Sequence, residues 1–130
     1  MKIQIEHKPE VRKMYEVTFI VVPELNDSEY KKVAEKFEKL IKKHGGEIIN
    51  IEHWGQQKLA YPIKRRGSGY YCYMEYFGDP DSIGKVEQEF IYDVQVIRYL
   101  TVRVDKFHQE YNKKRRDGSF NVDKKAEDKN

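Results

Sequence analysis

A single cysteine in 130 residues excludes any disulfide within the chain, and that scarcity fits a reducing compartment. Long hydrophobic runs are missing too. No stretch approaches the roughly eighteen apolar residues of a helical membrane span. The opening MKIQIEHKPE lacks the apolar stretch of a signal peptide. A cytoplasmic protein without a membrane partner is the expectation. Charge of one sign is not in excess either, because 25 Lys and Arg stand against 22 Asp and Glu, leaving +3 although 36% of the residues are charged. So small a net charge argues for nucleic acid only where the cations cluster. His7, His44, His53 and His108 are scattered with no Cys or His at metal-ligand spacing, and no Ser-His-acid or Cys-His set can be assembled. No metal, cofactor, small-molecule substrate or catalytic residue is expected.

What is present is a regular succession of periods, enough for one domain with tails. In YEVTFIVVP, the residues Tyr15, Val17, Phe19 and Val21 alternate with Glu16, Thr18 and Ile20, as in a strand wetter on one face and ended by Pro23. Asn26 with Glu29 resembles a capping box, with Asp27 or Ser28 as the other candidate caps, ahead of Tyr30, Val33, Ala34, Phe37, Leu40 and Ile41, the buried stripe of a helix stopped by Gly45 and Gly46. Glu47 to Ile63 reads as a long extended segment, bent at Gly55. Pro62 cannot donate to a ladder and marks an edge or a bulge. KRRGSG is expected to be a hairpin tip, with Gly67 and Gly69 supplying the backbone freedom, and YYCYMEYF the return strand.

On that return strand Tyr70, Cys72, Met74 and Tyr76 form one set and Tyr71, Tyr73, Glu75 and Phe77 the other, with Glu75 suggesting that the second set faces away from the helices. Cys72 then reads as a small buried hydrophobe. Asp79 and Pro80 open a second helix with Ile83, Val86 and Phe90 on one face. The last strand, VQVIRYLTVRV, carries Leu100, Val102 and Val104 on one side and Tyr99, Thr101 and Arg103 on the other. The order β-α-β-β-α-β predicts an α+β, ferredoxin-like fold, a four-stranded antiparallel sheet with two helices on one face. Residues 1–13 read as an N-terminal extension, 14–105 as the domain, and 106–130 as a basic tail. Its DKKAEDKN end is expected to be disordered outside an assembled particle.

The cations do cluster. Lys58 with Lys64, Arg65 and Arg66 at the hairpin tip, Arg98 and Arg103 on the last strand, and Lys113, Lys114, Arg115 and Arg116 in the tail are three groups suited to phosphate. Three adjacent cations repel one another, and a phosphate backbone would relieve the repulsion. A small phosphate-cleaving enzyme is disfavoured, since the loop after the first strand reads PELNDSE, acidic and without glycine. A single-stranded RNA binder of the RNA-recognition-motif type shares the element order. Yet RRGSGYYCYMEY does not match its third-strand register, and Glu16, Thr18 and Ile20 offer no stacking partner.

MYEVTFIVVPEL, the helix ending in HGGEI, WGQQKLAYPIKRRGSGYY and VIRYLTVRV together resemble the bacterial small-subunit ribosomal protein six family over residues 14 to 105. Trp54-Gly55, Leu59-Ala60-Tyr61 and Gly69-Tyr70 are the most specific part of the match. The resemblance implies a non-enzymatic component of the small ribosomal subunit. It further implies cooperative binding to the central (platform) domain of 16S ribosomal RNA as a heterodimer with small-subunit ribosomal protein eighteen. Carried onto this sequence, it points to Arg98, Lys58 and Tyr61 as contacts to RNA or partner, then to Lys64 to Arg66 and to Arg103. Two departures stand out. Thirteen residues precede the usual start, either as an arm or upstream of a start at Met14. FHQEYNKKRRDGSF reads equally as a short helix docked by Phe107 and Tyr111 or as a solvated tail.

Overall fold

Strand β1 (Lys13–Val21) alternates as its sequence dictates: Tyr15, Val17, Phe19 and Val21 are buried, while Glu16 and Thr18 are half-buried on the opposite face. The structure is a computed structural model, which describes residues 12–117 apart from the side chains of residues 106–108. Most of the expected N-terminal extension and the DKKAEDKN end lie outside the described residues.

Helix α1 (Asp27–Lys43) starts at the expected capping box, in which the Asn26 side chain accepts from the Glu29 backbone N–H and Glu29 Oε1 from that of Asn26, each at 2.8 Å. Its buried stripe is Tyr30, Val33, Ala34, Phe37 and Ile41, and the chain leaves it through Gly45 at φ 87°. Strands β2 (Glu47–Ile63) and β3 (Arg66–Gly78) follow, then helix α2 (Pro80–Tyr92), strand β4 (Val96–Val104) and helix α3 (Lys106–Asp117).

The sheet order is β2-β3-β1-β4 with antiparallel pairing throughout, which puts Pro62 on an edge strand as its missing N–H requires. A bulge between His53 and Gly55, where Gly55 takes φ 78°, is the bend expected in β2. Helices α1 and α2 cover one sheet face around three phenylalanines. Phe37 and Phe90 stack with centroids 4.1 Å apart, and Phe19 lies 4.9 Å from Phe90. This is the ferredoxin-like arrangement. Cys72 is wholly buried in the core, and burial pushes its thiol up to about 11.

The hairpin differs from expectation in where its freedom comes from. Ile63 pairs with Arg66, so the tip is the two residues Lys64 and Arg65, which themselves adopt φ 49° and 68°. A two-residue turn of type I′ needs positive φ at both central positions, and here side-chain-bearing residues supply it. Gly67 and Gly69 belong to β3 instead. A Cβ at Gly69 would stand 2.5 Å from Ile20 Cγ2 and 2.9 Å from the Val21 carbonyl oxygen, so this glycine lets β3 press against β1.

Of the two readings of the tail, the helix is the one found. Helix α3 docks on the sheet face opposite α1 and α2 through a polar seat, with Tyr111 45% exposed, and the side chain of Phe107 lies outside the described residues.

Candidate nucleic-acid and partner interface

Cross-strand register defines what the outer sheet face presents. Glu16 stands between Glu75 of β3 and Val102 of β4, Thr18 between Tyr73 and Leu100, and Ile20 between Tyr71 and Arg98. Asn50 and Glu52 of β2 extend the first two rows, pairing with Glu75 and Tyr73. One half of this face is thus acidic and the other apolar, and the two halves meet different fates.

Helix α3 covers the acidic half. Asn112, itself buried, donates from Nδ2 to Glu16 at 2.7 Å and to Glu75 at 2.8 Å. Arg116 Nη1 donates to the other oxygen of Glu75 at 2.8 Å. Arg115 grips Glu52 with both terminal nitrogens, at 3.2 and 2.8 Å, and lies over the Tyr73 ring at 5.5 Å. A fully buried carboxylate such as Glu75 costs several kcal/mol to desolvate, on the order of what a paired, hydrogen-bonded cation returns, so Arg116 and Asn112 are what make its burial tolerable. Burial alone would raise Glu52, but hydrogen bonds from Arg115, Trp54 and Asn50 outweigh it and hold this carboxyl below the ordinary range. The same bond, donated by Arg115 to Glu52, raises Arg115 further. Tyr73 is pushed up by burial and by its hydrogen bond to Glu16, made at 2.8 Å.

Among the described residues nothing covers the apolar half. Thr18, Ile20, Tyr71 and Leu100 form the floor of a groove of about 390 Å³, Leu59, Tyr61 and Ile63 of β2 form its wall, and Arg98 stands at its rim. Tyr61 is 80% exposed and Leu100 63%. Such contiguous apolar exposure is uncommon on a protein without a partner.

The predicted residues divide by face. Arg98, exposed, and Tyr61 come together at the groove. Lys58 does not join them: it pairs with Ser68, in the alternation of Tyr70 and Cys72, and so projects to the helix side of the exposed end of β2. Arg103, paired with Tyr15, likewise lies on the face opposite Arg98. At the tip Lys64 and Arg65 are exposed, whereas Arg66 is held by Glu24 of the β1–α1 loop at 3.0 Å. The hydrogen bond from Arg66 keeps Glu24 below its ordinary value. In α3, Lys113 and Lys114 are exposed while Arg115 and Arg116 are turned to the sheet. Sequence reasoning missed Glu16, Glu52 and Asn112 as anchors. The available signal was a carboxylate in the outward set of each of three strands, followed by an Arg-Arg pair in the tail.

The pattern of the family described as Ribosomal protein S6 matches residues 14–103, most of the described chain. The chain belongs to the ribosomal protein S6 family. Small ribosomal subunit protein bS6 of Porphyromonas gingivalis is 47% identical over 102 residues, covering 78% of this chain and 87% of the relative. The protein of the same name from Bacteroides thetaiotaomicron is 46% identical over 102 residues, covering 78% and 90%. Among solved structures, the 30S ribosomal protein S6 of Thermotoga maritima superposes with a TM-score of 0.71 at 26% identity, covering 82% of this chain and 98% of that one. As an S6 family member the chain is a component of the bacterial small ribosomal subunit in the cytoplasm, with a structural and RNA-binding role rather than an enzymatic one. No helix among the described residues is long and apolar enough to cross a membrane.

Proposed function

We propose that this S6 family protein binds the central domain of 16S ribosomal RNA together with small-subunit ribosomal protein eighteen. The partner protein seats on the open half of the outer sheet face, and phosphates meet the cations around it. The observation that carries this reading is the groove itself, an apolar surface that none of the described residues covers, with Arg98 at its rim and the Lys64-Arg65 tip of the same hairpin that builds its wall. Apolar contact gives the partner its site, and the flanking cations give RNA a salt-dependent, sequence-independent attraction. Specificity then rests on RNA shape and on the partner. Lys58 and Arg103 serve phosphates approaching from the helix side, and Lys113 and Lys114 those approaching α3.

The rival reading, base stacking on strand aromatics, loses the centre of its platform in this fold. Tyr73 is buried under Trp54 and Arg115, with the indole stacked on it at 5.7 Å. The test is a titration of the full chain against the central-domain RNA fragment, with and without protein eighteen, at two salt concentrations. Tight, salt-sensitive binding that requires the partner, and that Arg98→Ala weakens without unfolding the domain, is the expected result. Equally tight binding of unrelated single-stranded RNA without the partner would overturn it.

A further inference from the structure

We propose that Arg115 is a positioning residue for the groove: by docking α3 it fixes the Trp54-Tyr71 side of the groove, so that α3 docking and groove occupation support each other. Identifying the occupant as protein eighteen rests on the function proposed above. The positioning itself rests on a continuous set of contacts.

Arg115 holds both oxygens of Glu52, at 3.2 and 2.8 Å. Glu52 Oε1 accepts the indole N–H of Trp54 at 2.8 Å. Trp54 in turn lies over Tyr73 at 5.7 Å and over Tyr71 at 6.4 Å, with interplanar angles of 12° and 18°. Tyr71 lines the groove. Arg115 therefore reaches the groove through two intermediates without touching it.

The intermediates depend on Arg115 for their order. Trp54 is 43% exposed on an edge strand, beside the bulge at Gly55, so neither burial nor a second neighbouring strand holds its ring over the tyrosines. Its indole N–H bonds to Glu52, a carboxylate that Asn50 also holds at 2.8 Å, and the two-toothed, charge-assisted grip of Arg115 is the stronger of the two holds that keep it from turning to water. An occupant that packs on Tyr71 favours the ordered Trp54-Tyr71 stack and hence docked α3. Linkage makes the converse hold to the same extent.

Trp54 is the chain's single tryptophan and reports its own position. The experiment uses the full chain and compares wild type with Arg115→Ala, with Glu110→Gln, which removes a charge from the exposed side of the same helix, and with Arg115→Lys. Acrylamide quenching of Trp54 emission and the affinity for protein eighteen are both read. Arg115→Ala is expected to make Trp54 more quenchable and to weaken the partner about 5- to 20-fold, within the usual range of coupling between sites. Glu110→Gln should leave both unchanged. Arg115→Lys, which keeps the charge without the bidentate grip, should fall between, and it carries the test should Arg115→Ala fail to fold. Unchanged quenching in Arg115→Ala, or an equal drop in affinity in Glu110→Gln, would overturn the proposal. Absence of protein eighteen binding in wild type would overturn the partner reading alone, and the quenching comparison would still decide whether Arg115 orders Trp54.

Discussion

Glu16 and Glu75 face each other across β1 and β3, and the one side-chain amide of Asn112 donates to both, at 2.7 and 2.8 Å. Like charges directly opposite in a sheet are destabilising, so this pair is tolerable only with donors above it. Asn112→Ala removes the shared donor, and the expected destabilisation is roughly 1–3 kcal/mol, the cost of leaving a buried acceptor unsatisfied. Asn112→Asp should cost more, because it brings a third carboxylate to the same point. Urea unfolding with the 222 nm ellipticity as readout decides this. An unchanged midpoint for both variants would mean that α3 adds nothing to stability.

Acid should release α3 before it unfolds the domain. Glu52 is held below the ordinary glutamate value of about 4.3 in the folded protein, because its burial, which raises it, is outweighed by hydrogen bonds, chiefly from Arg115. A carboxylate depressed on folding binds more protons in the unfolded chain. Its contribution is complete above the unfolded value and fades as pH falls through the folded one. Quenching of Trp54 followed downward from pH 6 should therefore change below about pH 4.3, and Glu52→Gln, which no longer titrates, should flatten that response. A response centred at about pH 6, or one that Glu52→Gln leaves unchanged, would rule out Glu52 as its source.

The glycines of the β3 start should behave unequally. Gly69→Ala places a methyl 2.5 Å from Ile20 Cγ2 and 2.9 Å from a backbone oxygen, and such overpacking should cost about 1–3 kcal/mol. Gly67 has open space around it, so Gly67→Ala should be neutral or slightly stabilising through the unfolded chain. Thermal melts of the two variants separate these outcomes, and equal shifts would contradict the close approach of β3 to β1.

That contrast also shows what could be read from the sequence. The capping box at Asn26, the edge position of Pro62, the bend at Gly55 and the two faces of β3 all follow from local rules, and the fold obeys each of them. The hairpin tip did not, because composition placed the freedom at the glycines while strand pairing placed the turn at Lys64 and Arg65. The division of the cations was also hidden. Whether a lysine or arginine is free depends on carboxylates far along the chain, as with Arg66 and Glu24, 42 residues apart, and Arg115 and Glu52, 63 apart. Strand alternation separated Arg98 from Arg103 in the sequence as well, but a count of basic residues ignores it.

The hairpin tip gives the sharpest test of how the cations serve RNA. Each phosphate that the protein no longer neutralises should reduce the logarithmic salt slope of RNA binding by about 0.7 to 0.9. Lys64 and Arg65 are exposed at the turn, and neutralising either is expected to produce most of that change. Arg66 already has Glu24 at 3.0 Å, so its release to a phosphate must first break that pair, and Arg66→Ala should lower the slope by less. Glu24→Gln should then act in the opposite sense: with the competing carboxylate removed, Arg66 becomes available to phosphate and the slope steepens. Measuring the salt dependence of RNA binding for these four variants, with protein eighteen present, checks the ordering. Equal slopes for all of them would make the tip a solvated turn and move the phosphate-binding role to Arg98 and the rim of the groove.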